Sequence, residues 1–255
     1  LKLIYADSMI YTAEKSHDNV LIGSAYLSKG IAYYAQKKYK LALDNYLIAD
    51  KFISQTTDDY LTYKVKYNIA QIKFYLGFYD ESVSLLIECI EYFKDSDTRA
   101  YLNSLHSLSL CYNKIGNYGM SSEINQRGIE DGIKMGNDEM KNYFIHSEGI
   151  NQYFKNNYAF AIQKLKHSIP FIKKNKDFAN ESIGYFYIGK SYWSLHNQEA
   201  ALVYFRKVDA IFEDKNYIRS DLLENYELLI KYYKSKKDLH QELYYIEKLL
   251  KADSI

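Results

Sequence analysis

Proline and cysteine are both scarce in this chain of 255 residues, which contains one proline and two cysteines. Two cysteines cannot form a disulfide framework, and no CxxC pair is present to suggest a metal or redox motif. We therefore interpret Cys89 and Cys111, which lie among apolar residues, as small buried side chains. Long apolar runs are also absent, so neither a transmembrane helix nor a signal peptide is predicted within these residues.

Charge of one sign is not in excess. Lys and Arg number 33 and Asp and Glu number 32, which leaves a formal net charge of +1. A segment that binds nucleic acid through phosphate contacts normally carries a clear basic excess. We therefore expect no direct nucleic-acid binding by these residues.

Sequence motifs for chemistry are missing as well. The chain has no HExxH, no P-loop, no GxSxG and no GxGxxG. Its six histidines show no i, i+4 pairing that would suit zinc. The prediction is a protein that is not an enzyme and that carries no catalytic residues, no cofactor and no metal.

An internal repeat is the strongest positive feature. The segments YYAQKKYKLA, FYLGFYDESV, YNKIGNYGMS, QYFKNNYAFA and YWSLHNQEAA align without gaps, and a weaker sixth copy reads YYKSKKDLHQ. Their central residues, called the anchor residues below, follow one another after 40, 39, 40, 40 and 41 positions. The anchor residues are Tyr39, Tyr79, Tyr118, Tyr158, Gln198 and Leu239. A period of this length marks a solenoid, in which each unit buries its apolar face by stacking on its neighbours.

Each period has a helical pattern before and after its central turn. Tyr26, Gly30 and Tyr33 show the i, i+4, i+7 spacing before the first turn, and a similar apolar spacing follows it. Polar stretches between the units place Asp, Asn, Ser or Thr where helix N-caps are needed. We therefore predict an all-α solenoid of about six helical hairpins. The predicted division of this single domain, 1–255, is a trailing helix of a truncated repeat at 1–20 and repeats at 21–59, 60–98, 99–138, 139–178, 179–219 and 220–255.

The hairpin pattern resembles the tetratricopeptide repeat (TPR), in which aromatic and small residues alternate at fixed positions of two helices. The first and fifth units match well, the fifth through Tyr185, Ile188, Gly189, Tyr192, Ala201 and Phe205. The second, third and sixth units depart from it, since Ser82, Ser121 and Glu242 replace the second-helix alanine. The resemblance implies a right-handed superhelix, built here from repeats about six residues longer than the usual 34.

Four segments extend the resemblance: KYNIAQIKFYLGFYDES, NSLHSLSLCYNKIGNY, HSEGINQYFKNNY and FANESIGYFYIGKSYWSL. They are similar to the repeat region of bacterial transcription regulators that combine TPR repeats with a helix-turn-helix domain of the AraC type. That resemblance implies a sensor or interaction domain whose DNA-binding domain lies outside these residues, so that the full-length protein binds DNA. The first residue is Leu1 instead of Met, which indicates a piece of a longer protein. Any membrane association is expected through a segment outside this piece, and both a cytoplasmic and an extracytoplasmic location stay open.

A stripe on the first helix of each unit is the candidate binding surface. Repeat positions are numbered so that Leu27, Ile31 and Tyr34 hold positions five, nine and twelve of the first unit. These three positions share one helix face, and the resemblance implies that this face lines the concave groove, as it does in TPR arrays. We predict that this groove binds a protein or peptide ligand. Its candidate residues are Tyr67, Phe74, His106, Asn113, His146, Tyr153, Phe186, Lys190 and Trp193. The same stripe could instead belong to the core, and the alternative functions are a free-standing adaptor or scaffold and self-association into a homodimer.

Overall fold

The computed structural model describes residues 2–254, and Leu1 and Ile255, the ends of the predicted solenoid, lie outside this range. Within it, thirteen α-helices and one short 3-10 helix follow one another, and no strand is present. The prediction of an all-α solenoid of about six hairpins is therefore confirmed. The helices are α1 (Lys2–Ser16), α2 (Asn19–Tyr34), α3 (Tyr39–Ile53), α4 (Asp59–Tyr75), α5 (Tyr79–Phe93), α6 (Thr98–Ile115), α7 (Tyr118–Lys134), α8 (Asp138–Phe154), α9 (Tyr158–Lys174), α10 (Phe178–Ser194), α11 (Gln198–Lys215), α12 (Glu224–Ser235) and α13 (Leu239–Asp253), with the 3-10 turn at Ser220–Leu222.

The chain forms two compact units, one ending at Ile124 and the other beginning at Asn125. In the first unit, α1 packs on α2, α2 on α3, and so on in sequence, with α2, α3 and α4 sharing one apolar cluster around Tyr46 and Ile53. In the second unit, the largest cluster joins α10 to α13 around Phe205 and Tyr226.

Each hairpin turns at a residue with a left-handed backbone conformation. This residue lies two positions before every anchor residue, so the turn has the same period as the repeat. The backbone N–H of the next residue donates to a carbonyl five residues earlier, as Lys38 does to Tyr33 at 3.1 Å. That bond satisfies a carbonyl that the helix end leaves without an intrahelical partner. The left-handed residues are Lys37, Gly77, Gly116, Asn156, His196 and Lys237.

The first helices of five hairpins begin at polar residues that the sequence places between units, whereas α12 follows Leu223, which forms no side-chain cap bond. Each cap side chain accepts a hydrogen bond from a backbone N–H in the first turn, as Asp97 does from Ala100 at 2.9 Å. Such caps satisfy donors that would otherwise lack a partner at the helix start. The caps of α2, α4, α6, α8 and α10 are Asp18, Asp58, Asp97, Asn137 and Asp177.

The serines that replace the TPR alanine are compatible with the same close packing. Ser82 and Ser121 are fully buried on α5 and α7. Each hydroxyl donates across the hairpin to a carbonyl of the preceding helix, Ser82 to Ala70 at 2.8 Å and Ser121 to Ser109 at 3.0 Å. A buried hydroxyl costs little when it is hydrogen-bonded, so these departures from the repeat pattern do not disturb the fold.

Both cysteines are buried, as predicted, and unbonded to each other. Burial raises the pKa of the Cys89 thiol to about 12 and that of the Cys111 thiol to about 11. Thiols in this state are protonated and behave as small apolar side chains. Within residues 2–254, every helix is too short or too polar to cross a bilayer.

Candidate functional site

The nine candidate groove residues fall into two groups by burial. His146 and Phe186 are each only 2 % exposed, so they belong to the packing between helices and offer no surface to a ligand. The groove proposal is therefore confined to the other residues. The half-buried residues are Tyr67, Phe74, His106, Asn113, Tyr153, Lys190 and Trp193. We call these seven the first-helix face.

His146 is held in place by its neighbours on both sides. Its Nδ1 atom lies 3.1 Å from the Ser168 hydroxyl of α9. A Cβ atom placed on Gly184 of α10 would lie 2.7 Å from the imidazole ring, so glycine there leaves the ring its space. The absence of one side chain on α10 therefore permits the burial of a histidine from α8.

In the first unit, polar groups on the first-helix face of α4 contact α6, the first helix of the next hairpin. Gln71 of α4 donates to the hydroxyl of Ser107 on α6 at 2.5 Å, and Tyr67 hydrogen-bonds the same serine. Burial raises the pKa of Tyr67, and the bond to Ser107 offsets part of that rise. Phe74 lies edge-on to Tyr79, with ring centroids 5.7 Å apart. Two neighbouring first helices thus present aromatic rings beside amide and hydroxyl groups.

In the second unit, Lys190 of α10 is the only cationic residue of the first-helix face. Its ammonium lies 2.8 Å from a carboxylate oxygen of Glu224 at the start of α12, and 5.3 Å from the centroids of the Tyr153 and Phe186 rings. The Lys190 side chain is 19 % exposed, whereas that of Glu224 is 43 % exposed. A cation between rings and a carboxylate is stabilised by both.

The electrostatic environment keeps Lys190 charged. Burial opposes the charge, but the hydrogen bond to Glu224 and the nearby Tyr153 outweigh it, so the pKa of Lys190 lies above its ordinary value. Tyr187 follows Phe186 on α10 and lies 5.1 Å from the Tyr153 ring. Burial and then the Asp221 charge raise the pKa of Tyr187, so its hydroxyl is neutral and can donate a hydrogen bond.

Tyr187 and Glu224 belong to this surface although the repeat pattern does not predict them. Tyr187 occupies repeat position six, where the first four units have Ser or Asn. Glu224 follows an irregular segment that has no equivalent in the other hairpins. A change of residue class at one repeat position was the only signal for Tyr187. No sequence signal marked Glu224, because its contact with Lys190 depends on the path of the preceding loop.

Groups of His, Cys, Asp and Glu that could hold a metal ion do not occur among the described residues. Two surface depressions of the described residues lie at α1, one of them between α1 and α2. Within each unit, the first-helix face consists of half-buried rings and a few polar groups, a combination that suits contact with an extended chain.

Comparison with known proteins identifies the fold of the chain but no sequence family. No family model matches the chain, and no curated protein matches it in sequence. Solved structures that superpose on it contain tetratricopeptide-like repeats, and their identities are too low to indicate more than the fold. The chain therefore has a TPR-like fold.

Three of these structures cover most of the chain. A signal transduction ATPase with numerous domains and a tetratricopeptide repeat sensor, from Pyrococcus horikoshii, has a TM-score of 0.75 at 15 % identity, over 97 % of this chain and 38 % of that one. The apo form of RapI has a TM-score of 0.72 at 16 % identity, over 89 % and 81 %. The Rap conjugation gene regulator of the plasmid pLS20, solved with the Phr* peptide, has a TM-score of 0.71 at 15 % identity, over 92 % and 65 %.

Proposed function

We propose that this chain is a non-enzymatic interaction domain that binds an extended peptide segment on its first-helix face. The observation that carries the proposal is the grouping of half-buried rings with hydrogen-bonding groups on consecutive first helices. Aromatic rings supply contact area at low entropic cost, and the polar groups fix the orientation of a bound chain.

In the second unit, this surface combines aromatic rings with charged groups. Tyr153, Tyr187 and Trp193 are half-buried, so each has exposed area that a ligand could cover. Lys190 and Glu224 add one group of each sign at the same place. A similar use of the fold supports the proposal, because the pLS20 Rap regulator was solved in complex with a peptide.

The experiment begins with selection of peptides that bind the chain from a random display library. Tyr153→Ala and Trp193→Ala should each weaken binding of the selected peptides by about 2 kcal/mol or more, which is the usual effect of removing a buried aromatic anchor. Tyr204→Ala is the control, since Tyr204 is a half-buried ring of the second helix α11 that stacks on Tyr192 at 5.7 Å. Peptide affinity of this control should stay within a factor of about two of the native chain.

Thermal melts of the same variants separate binding from folding. If Tyr153 and Trp193 were core residues, their truncation would cost about 3–5 kcal/mol of folding stability. Trp193 does contact the buried Phe205, with ring centroids 6.1 Å apart, so a moderate loss is expected there. A full core-sized loss in both variants would refute the groove assignment, and so would unchanged peptide affinity.

We further propose that the domain is the sensor half of a bacterial regulator with an AraC-type DNA-binding domain. Support comes from the likeness of its repeats to those of such regulators and from its net charge of +1, which leaves DNA binding to another domain. This chain alone should give no electrophoretic shift of operator DNA in the presence of competitor, whereas the full-length protein should. A specific shift by the isolated chain would contradict this division, and a gene without a helix-turn-helix would favour an adaptor.

A further inference from the structure

Two lysines of the second helices α9 and α11 lie beside the same tyrosine ring in the second unit. The Lys166 ammonium of α9 is 5.7 Å from the centroid of the Tyr204 ring, and the Lys207 ammonium of α11 is 4.9 Å from it. Lys166 also donates to the Tyr192 hydroxyl of α10 at 2.9 Å, and Lys207 lies 5.0 Å from the Tyr185 ring. Both lysines are exposed, whereas the three rings are half-buried. We call these five residues the lysine-tyrosine patch.

The positive charge of this patch is not balanced by a carboxylate. Among residues 2–254, neither Lys166 nor Lys207 forms an ion pair. The Glu181 carboxylate, which hydrogen-bonds Tyr185, lies 3.8 Å from the Lys173 ammonium instead. Helix α9 contains four lysines and neither Asp nor Glu, in a chain whose net charge is only +1. The rings therefore hold the two cations in place but do not neutralise them.

The equivalent place in the second hairpin contains a complete ion pair. Lys66 of α4 holds the repeat position of Tyr185, and Glu88 of α5 holds that of Lys207, nine positions after the anchor residue. The Lys66 ammonium lies 2.6 Å from a carboxylate oxygen of Glu88. In the fifth hairpin, a tyrosine thus replaces the lysine, and the lysine that replaces the glutamate has a ring as its neighbour instead of an opposite charge.

The arrangement of cation and rings recurs one repeat further along the chain. Arg206 of α11 donates to the Tyr233 hydroxyl of α12, and the Tyr233 ring stacks on Tyr245 of α13 with centroids 5.5 Å apart. In the patch, Lys166 donates to Tyr192, and the Tyr192 ring stacks on a tyrosine of the next second helix at 5.7 Å. The two places therefore share one geometry and can be compared directly.

The copy one repeat further has carboxylates of its own. Lys248 lies nine positions after its anchor residue, as the α11 lysine of the patch does. Its ammonium is 3.5 Å from Asp209 of α11 and also forms an ion pair with Glu213. At the repeat positions of Asp209 and Glu213, α9 has Ile169 and Lys173. Both equivalent places thus contain a carboxylate, and the patch lacks one because α9 does not supply it.

We propose that the lysine-tyrosine patch docks an acidic segment of a partner protein, whose consecutive Asp or Glu residues bind Lys166 and Lys207. Carboxylates suit this place because they pair with the cations at both equivalent places. The half-buried rings offer contact area to the rest of the bound segment. The patch shares no residue with the first-helix face, so this interaction does not rest on the peptide binding proposed above.

The test uses a fluorescein-labelled peptide with four consecutive glutamates between glycine-serine linkers. Fluorescence anisotropy measures its affinity for the full chain at about 0.1 M salt, where the Debye length is about 10 Å. Lys166→Glu combined with Lys207→Glu should weaken binding about tenfold or more, because like charges then face each other. Lys166→Met combined with Lys207→Met keeps the aliphatic stems over the rings and removes the charge, so it should weaken binding about threefold or more.

Matched controls separate the patch from charge in general. Lys40→Glu combined with Lys51→Glu makes the same change in net charge at exposed positions of the second helix α3, in the first unit. This pair should leave the affinity within a factor of about two. Tyr153→Ala, which removes a ring of the first-helix face, should also leave it unchanged. Circular dichroism should show native helix content in all the lysine variants, since the replaced side chains are exposed.

Three outcomes would overturn the proposal. The first is no binding of the glutamate peptide to the native chain, or equal binding of a peptide with glutamine in place of glutamate. The second is equal weakening by the control pair on α3. The third is tighter binding of a labelled thymidine oligonucleotide through the same two lysines, which would make the patch a nucleic-acid surface.

Discussion

Replacing Gly149 with alanine tests the close packing of the fourth hairpin. The added Cβ atom would lie 2.7 Å from Leu165 Cγ and 3.2 Å from the Leu165 backbone nitrogen. Carbon atoms prefer a separation of about 3.5–4.0 Å, so the contact must open by roughly 1 Å. Leu165 is fully buried, and its backbone cannot rotate away as a flexible side chain would.

The expected cost follows from two opposing effects. Overpacking of a dense interior costs about 1–3 kcal/mol. Alanine is a better helix former than glycine by about 1 kcal/mol, which offsets part of that cost. Gly149→Ala should therefore lower the free energy of unfolding by up to about 2 kcal/mol, and the larger Gly149→Leu should lower it further.

Gly119→Ala is the matched control because it makes the same change on a helix without a close neighbour. Its Cβ atom would meet only the Asn117 side chain, at 3.7 Å. This variant should be as stable as the native chain or more stable by up to about 1 kcal/mol. Urea unfolding measures the stability of both variants. It is followed by far-ultraviolet circular dichroism and by the fluorescence of Trp193, the single tryptophan. A Gly149→Ala variant as stable as the control would refute the proposed packing.

Two further predictions concern alkaline pH and the hairpin turns. Burial raises the pKa of Tyr185 and Tyr245 to about 12, so folding favours their neutral form. The stabilisation that results is complete below the ordinary pKa of about 10. It is lost as the pH rises from about 10 through about 12. The part of the tyrosinate absorbance that comes from the buried tyrosines should therefore appear together with the loss of helical dichroism. Ionisation of all the tyrosines near pH 10, the free value, in a still helical protein would contradict the burial. At the turns, His196→Gly should stabilise the chain by about 1 kcal/mol, since His196 has a left-handed φ of 58°. Gly77→Ala should destabilise the chain at the equivalent turn. Chemical denaturation measures the stability of both variants, and a change of the same sign in both would contradict the prediction.

Local features of the fold could be predicted from sequence because short-range rules determine them. The period of the anchor residues indicates where each hairpin turns, and polar residues such as Asp97 and Asn137 mark helix starts. The left-handed conformation could be expected for glycine at Gly77 but not for His196, which adopts it only because the hydrogen bonds of the turn require it.

The candidate surface was predicted only in part, because burial depends on residues far away in sequence. Repeat position five holds both His146 and Phe186, and the packing of neighbouring helices removes both from solvent. Tyr153 and Trp193 at position twelve keep exposed area. Helical spacing predicts which residues share a face, yet it contains no information on how closely the next helix approaches that face.

The amino-acid sequence by itself determined the helical hairpins and their number, since helix periodicity, caps and turns act over a few residues. Only the tertiary structure decided which side chains of the stripe are buried and which charges meet. Lys190 and Glu224 are 34 residues apart, and their contact exists because the loop before α12 brings the carboxylate to the ammonium. Packing distances between helices arise from all the side chains at a contact together, and the missing Cβ atom at Gly184 leaves the space that the buried His146 ring occupies.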